Sequence, residues 1–145
     1  MKLSGTFTTQ ASPAQLARLS TEPRQLEQVT SLRDVAVDAH GHIRAIFTAA
    51  TPLGAIPLTT TIATDRADES SSRVLVRGTR GQHRVDVTLE ISYQPTATAT
   101  QVSWHADVRL GGTGASVAQR VAHDIARNAI DGVLQQAAGQ HLTLT

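Results

Sequence analysis

The chain has 145 residues, 13 basic against 12 acidic and no cysteine, which suits one domain with a single core and excludes disulfides and thiolate metal sites. Its formal charge of +1, without any block of like charges, offers no electrostatic footprint for nucleic acid and no polybasic membrane tether. The opening MKLSGTFTTQ lacks an apolar signal core and no run approaches the ~18 apolar residues of a spanning helix, so a soluble cytoplasmic protein is expected.

Lys2 to Thr9 alternates, with Leu3, Gly5 and Phe7 on one face, and reads as a strand. Ser12-Pro13 opens a short helix through Leu16 and Leu19, Ser suiting the N-cap and Pro the first turn. Glu22-Pro23 restarts a second short helical piece containing Leu26 and Val29. Leu32 to Asp38 alternates weakly, and His40-Gly41-His42 turns the chain into Ile43 to Ala50, where Ile43, Ala45 and Phe47 share a face. Pro52-Leu53-Gly54 breaks that strand, and Ile56, Leu58, Thr60 and Ile62 alternate in the next. Asp65 to Ser72 reads as a polar loop; Val74 and Val76 begin a strand interrupted near Gly78 to Gly81. His83, Val85, Val87, Leu89, Ile91 and Tyr93 alternate strictly with polar residues, as do Val102, Trp104, Ala106, Val108 and Leu110 after a turn from Pro95 to Thr100. Such strands have one dry and one wet face, the mark of an antiparallel sheet.

Ser116 to Ala138 is a long amphipathic helix, about 35 Å at 1.5 Å per residue. Ser116 and Gln119 form a capping-box pattern at its start, and Gly139 marks its stop. Ala118, Ala122, Ile125, Ala129, Gly132 and Val133 share one face, while Arg120, Asp124, Arg127 and Asp131 form a charge ladder on the other. So little bulk on the inner face means either close approach, which would explain Gly132, or room beneath the helix. Strands segregated from helices give an α+β fold, one antiparallel sheet with helices on one side, in a single domain over residues 1–145.

Sites of chemistry are sparse. No serine sits in a nucleophile setting, so no catalytic residue is assigned. His40 and His42 flank a turn glycine without a carboxylate partner, which reads as a turn and not a metal site. His105 and His123 read as solvated, whereas His83 shares the phase of Val85 and Val87. Arg77, Arg80 and Arg84 cluster across a hairpin and read as solubilising, with docking of an acidic partner the rarer alternative. The apolar segment Pro52 to Leu58 reads as a bent strand connection or as a gate or membrane-touching tip.

The opening MKLSGTFTTQASPAQLARL, the Glu22-Pro23 restart and the closing ADVRLGGTGASVAQRVAHDIAR resemble the CoxG family of carbon monoxide dehydrogenase proteins, within the START-related (SRPBCC) helix-grip superfamily. The matching positions include Lys2-Leu3-Ser4-Gly5, Phe7, Pro13, Pro23, Gly111-Gly112, Ala118-Gln119-Arg120 and Ala126-Arg127. The resemblance implies a curved seven-stranded antiparallel sheet around a long C-terminal helix, two short helices after the first strand, and an apolar cavity. It implies association with molybdenum hydroxylases of the carbon monoxide dehydrogenase type, and supplies no catalytic residue. This chain departs from the pattern at Leu16-Ala17-Arg18-Leu19, where an aromatic is usual, and at Gln28-Val29-Thr30-Ser31, where Pro-Gly is usual. Longer members continue to a membrane-binding tail; with the chain ending at Thr145, peripheral membrane contact remains open and an anchor is not expected.

The expected function is non-enzymatic binding of a hydrophobic small molecule, a lipid or isoprenoid quinone, with no tightly required cofactor. The expected lining is Phe7, Phe47, Leu58, Val87, Leu89, Trp104, Val108, Val121 and Ile125. Trp at Leu89 or Ile125 should abolish loading. The alternatives are an interaction or maturation factor for the oxidoreductase, with an incidental cavity, and a small cyclase or dehydratase of the polyketide cyclase type.

Overall fold

A computed structural model describes residues 1–19, 22–27, 29–51, 54–111 and 115–143, with side chains of the last helix described from His123 to Gly139. In chain order the elements are β1 (Lys2–Thr9), α1 (Pro13–Leu19), α2 (Pro23–Leu26), β2 (Leu32–Val37), β3 (Ile43–Thr51), β4 (Gly54–Ala67), β5 (Ser71–Arg80), β6 (His83–Pro95), β7 (Thr100–Gly111) and α3 (Ala115–Thr143). The strands form one curved antiparallel sheet in the order β1-β7-β6-β5-β4-β3-β2, so a meander from β2 to β7 receives β1 on its far side. α3 crosses the concave face and approaches both β1 and β3.

Strand phase decides which side chains meet. In β6 and β7 the paired rows Val85↔Leu110, Val87↔Val108, Leu89↔Ala106, Ile91↔Trp104 and Tyr93↔Val102 all turn to the concave side. One core cluster joins Leu3, Leu16, Val74, Leu89, Ile91, Tyr93, Val102, Trp104 and Val108. A second joins Leu26, Val29, Leu32, Ile43 and Ala45 under Ala137. Ile62 packs against both and bridges them.

The first short helix starts as its sequence implies: the Ser12 hydroxyl accepts from the Gln15 amide at 3.2 Å, and Gln15 Oε1 accepts from the Ser12 amide at 2.8 Å. α2 is a single turn of four residues that ends at Leu26, so it does not contain the Val29 expected in it, which lies buried in the connection to β2. The weak alternation of β2 has a local cause, because its register against β3 shifts between Arg33 and Ala36, with Asp34 at φ 55°.

Four further expectations are corrected. The polar stretch Asp65 to Ser72 is mostly strand, since β4 runs to Ala67 and β5 starts at Ser71. Asp68 accepts from the Ser70 and Ser71 amides and the Ser70 hydroxyl, closing the tight turn between them. Gly78 lies inside β5 and the interruption is confined to the turn at Gly81, φ 58°. Gly139 does not end the last helix, which runs on to Thr143.

The fourth correction is the phase of α3. Ala126, Ile130, Leu134 and Ala138 pack on the first cluster and Val133 and Ala137 on the second, so the buried arc sits about one residue on from the expected one. Gly132 is exposed, with nothing within 4 Å of where a Cβ would lie, so no close approach explains it. Asp131 leaves the solvated ladder to accept a hydrogen bond from Trp104 Nε1 at 3.2 Å. The expected capping box at Ser116 and Gln119 lies outside the described side chains.

Candidate functional site

The concave face is fully buried at one end and half-buried toward the other. Where α1 lies over the sheet, Val102 is 1% and Trp104 0% exposed, and Tyr93 is buried beside them. The Tyr93 hydroxyl meets the Ser72 hydroxyl at 2.7 Å and reaches the Leu16 carbonyl at 3.5 Å, which ties β5 and β6 to α1. Burial pushes the Tyr93 phenol up despite the Ser72 hydrogen bond, so it stays neutral. Thr9 and Thr100 make similar buried links, to the carbonyls of Ala138 and Ala11.

Toward the other end of the same face, apolar side chains in the same phase stay half-buried: Phe47, Leu58, Ile62, Val76, Val85, Val87 and Leu110. Cross-strand pairing makes them contiguous, through Phe47↔Leu58, Ile62↔Val76, Val76↔Val87 and Val85↔Leu110. Gly78, between Leu58 and Val85, adds no side chain, and a Cβ there would lie 3.7 Å from Leu58. The result is an apolar floor on the concave face that neighbouring side chains only half-cover. Half-buried apolar side chains set together on the concave face make this floor the candidate surface for an apolar ligand.

The expected lining residues divide accordingly. Phe47, Leu58 and Val87 belong to the half-buried floor, and Phe7 is half-buried at the β1 side. Leu89, Trp104 and Val108 lie in the closed cluster, at 7%, 0% and 1% exposure. Ile125 is half-buried on α3, and Val121 lies outside the described side chains. Ile62, Val76, Val85 and Leu110 complete the floor beyond the lining that the sequence suggests. Their phase is legible there, but their partial exposure depends on how far α1 and α3 cover the sheet.

The remaining candidates are placed elsewhere. His83 opens β6 opposite Arg80 and is exposed, contrary to its apolar phase, because the strand has run beyond the covered floor. Arg77 and Arg84 both bind Asp86, at 2.8 and 2.9 Å. His40 and His42 have ring centroids 6.2 Å apart around a turn organised by Asp38, whose carboxylate accepts from both backbone amides. Desolvation raises the Asp38 carboxyl, and the two amides with the nearby imidazoles outweigh it, leaving it below the usual value. Among the described residues no three His, Asp or Glu side chains converge to hold a metal. In the Pro52 to Leu58 segment, Pro52 and Leu53 lie outside the described residues, and Gly54 to Leu58 is strand. Pro57 is tolerated because β5 pairing begins only at Thr59↔Thr79, so no bond to β5 is lost. No described helix is long and apolar enough to cross a membrane.

A separate polar cleft of ≈ 550 Å³ lies between β1 and α3, lined by Ser4, Gly5, Thr6, Ser103, His105, Arg127, Asn128 and Asp131. None of the expected lining residues borders it.

A family profile for CoxG, a subunit of carbon monoxide dehydrogenase, matches residues 5–140. No curated protein sequence matches significantly. Among solved structures, a conserved protein from Geobacillus kaustophilus superposes with a TM-score of 0.82 at 14% identity, over 99% of this chain and 96% of that one. A START superfamily protein from Mycobacterium smegmatis gives 0.66 at 15% identity, over 99% of both chains. Ara h 8.0201 gives 0.67 at 11%, over 99% and 98%. At such identities these likenesses concern the fold.

Proposed function

The chain belongs to the CoxG family of carbon monoxide dehydrogenase proteins, and from that premise we propose that it is a non-enzymatic binding protein that holds a hydrophobic small molecule, a lipid or isoprenoid quinone, between the concave sheet face and α3. The observation that carries this reading is the half-buried floor of Phe47, Leu58, Ile62, Val76, Val85 and Val87, set beside a fully closed core built from the same strands. Burying a prenyl chain there gains about 0.8 kcal/mol per methylene, without any polar recognition motif. The gain is limited by the ordering of the ligand, so chain length should matter more than headgroup.

The cyclase alternative needs paired acid–base groups facing the ligand. Among the described residues the floor carries none, and Tyr93, neutral and hydrogen-bonded to Ser72, sits in the closed end. The reading as a partner of a molybdenum hydroxylase of the carbon monoxide dehydrogenase type draws support from the family description alone; co-purification with that enzyme, or genes for it beside this one, would carry it further.

Leu58→Trp and Val87→Trp test the floor, since each places an indole where a half-buried aliphatic group stands. Both variants should keep the wild-type circular dichroism and lose binding of a short-chain ubiquinone measured by tryptophan quenching or calorimetry. Unchanged affinity in both would remove the floor as the binding surface. Leu89→Trp is a poor test, because Leu89 lies in the closed core and overpacking there threatens the fold.

A further inference from the structure

The apolar floor ends on a basic rim. Thr59 pairs with Thr79, so the concave row of Leu32, Phe47 and Leu58 runs on to Arg80, which pairs with His83. Alternation from Gly78 and Val85 sets Arg80 and His83 in the concave phase. Both are exposed, and Arg80 stands one strand spacing, about 4.8 Å, from the half-buried Leu58.

Charge is uneven around this rim. Residues 43–64, 74–88 and 108–111, the strand segments that carry the floor, hold Arg44, Arg77, Arg80, Arg84 and Arg109 against Asp86 alone. Asp86 lies in the outward phase and is shared by Arg77 and Arg84 at 2.8 and 2.9 Å. On the two edge strands the charges offset, Arg33 beside Asp34 and Lys2 opposite Asp107. Asp124, the first acidic residue of α3, lies 3.5 Å from His123. The Arg80 guanidinium makes no ion pair among the described residues.

Polar groups deeper on the concave face are already matched. Thr60 donates to the Leu58 carbonyl at 3.1 Å, and the Tyr93 and Ser72 hydroxyls meet each other at the buried end. A ligand with an apolar tail therefore finds its polar partner at the exposed rim, and that partner is a cation with a planar fork of donors. Such a fork takes a carboxylate in two parallel hydrogen bonds, and one uncompensated guanidinium balances one negative charge.

We propose that the floor takes a long-chain carboxylate, its hydrocarbon chain on Leu58, Val76 and Val87 and its carboxylate on Arg80, with His83 as a further donor. This rests on the floor being the ligand's apolar seat and adds the charge of the headgroup; the chain still supplies most of the affinity.

The test compares dodecanoate with dodecanol by calorimetry on the wild type, Arg80→Gln and Arg44→Gln. Both arginines are exposed, so both variants keep the fold, and Arg44 lies in the outward phase beside the buried Ile43 and Ala45. The wild type should bind dodecanoate about fivefold more tightly than dodecanol, the upper scale of an exposed ion pair. Arg80→Gln should lose that preference and keep the dodecanol affinity, Arg44→Gln should keep both, and Arg80→Glu should favour dodecylammonium. Equal binding of acid and alcohol by the wild type would overturn the proposal while leaving the floor as an apolar site. A preference that survives Arg80→Gln, or that Arg44→Gln removes equally, would overturn it by assigning the selectivity to the field of the outward arginines. So would displacement of dodecanoate by an equal concentration of acetate, which marks a small-anion site. Binding of neither ligand would remove the floor as an apolar seat and this inference with it.

Discussion

Gly5 and Trp104 are partners across β1 and β7, and the indole lies over the glycine. A Cβ at position 5 would sit 2.6 Å from Trp104 Nε1 and 2.7 Å from its Cε2, closer than real side chains tolerate. The indole has nowhere to go, being 0% exposed and held by Asp131 at 3.2 Å. Gly5→Ala therefore forces a shift that costs about 1–3 kcal/mol as overpacking. If the ring swings away, its N–H is left without a partner for a further ~1–3 kcal/mol. Together the two contributions reach about 2–6 kcal/mol, or roughly 7–20 °C in Tm at about 3.3 °C per kcal/mol for a chain of this size. Urea unfolding should show the lower midpoint with an unchanged slope, and emission from the single Trp should report the displaced ring directly. In a Trp104→Phe background the same Ala should lose most of its cost. A Gly5→Ala protein within ~0.5 kcal/mol of the wild type, or a cost indifferent to Trp104→Phe, would refute the packing argument.

Gly132→Ala should act in the opposite direction, stabilising by about 1 kcal/mol in the same denaturation assay, because the site is helical, exposed and open around the missing Cβ. Tyr93→Phe should cost about 1–3 kcal/mol by stranding the fully buried Ser72 hydroxyl, and adding Ser72→Ala should recover part of that loss. The Ser70 hydroxyl, with the Ser70 and Ser71 amides, holds the Asp68 carboxyl at about 2 against an ordinary 3.8. As pH falls the unfolded chain then binds the proton first, so this contribution is full above the unfolded value and is lost as pH falls through about 2. Asp68→Asn should flatten the stability profile over that window in acid titrations, and a carboxyl carbon resonance titrating near 3.8 would contradict the turn geometry.

Much of the fold is legible because strand period survives in the sequence. β6 and β7 alternate strictly, and each buried apolar position there falls on the dry face that the alternation predicts. Elsewhere pairing overrides composition. Asp65 and Arg66 look like loop residues, yet exposed polar side chains are compatible with a strand whose neighbours supply the ladder. The phase of α3 slips because alanines surround much of the helix and weaken its apolar direction; Leu134, outside the predicted face, helps to fix the buried arc. The site is legible in kind but not in extent. Whether Leu89 is core and Leu58 is floor depends on where α1 and α3 rest, and no local pattern encodes that. The tie between Gly5, Trp104 and Asp131 joins three distant residues, so it becomes visible only with the β1–β7 register.

Native mass spectrometry of protein purified from cells, with solvent extraction and identification of released lipid, tests the binding function most directly. The wild type should carry a hydrophobic molecule in near one-to-one ratio, or acquire one on incubation with a short-chain ubiquinone, and Leu58→Trp should carry none. An apo mass in every preparation, unchanged by added quinone or lipid, would contradict the proposed function and leave the concave floor without a ligand.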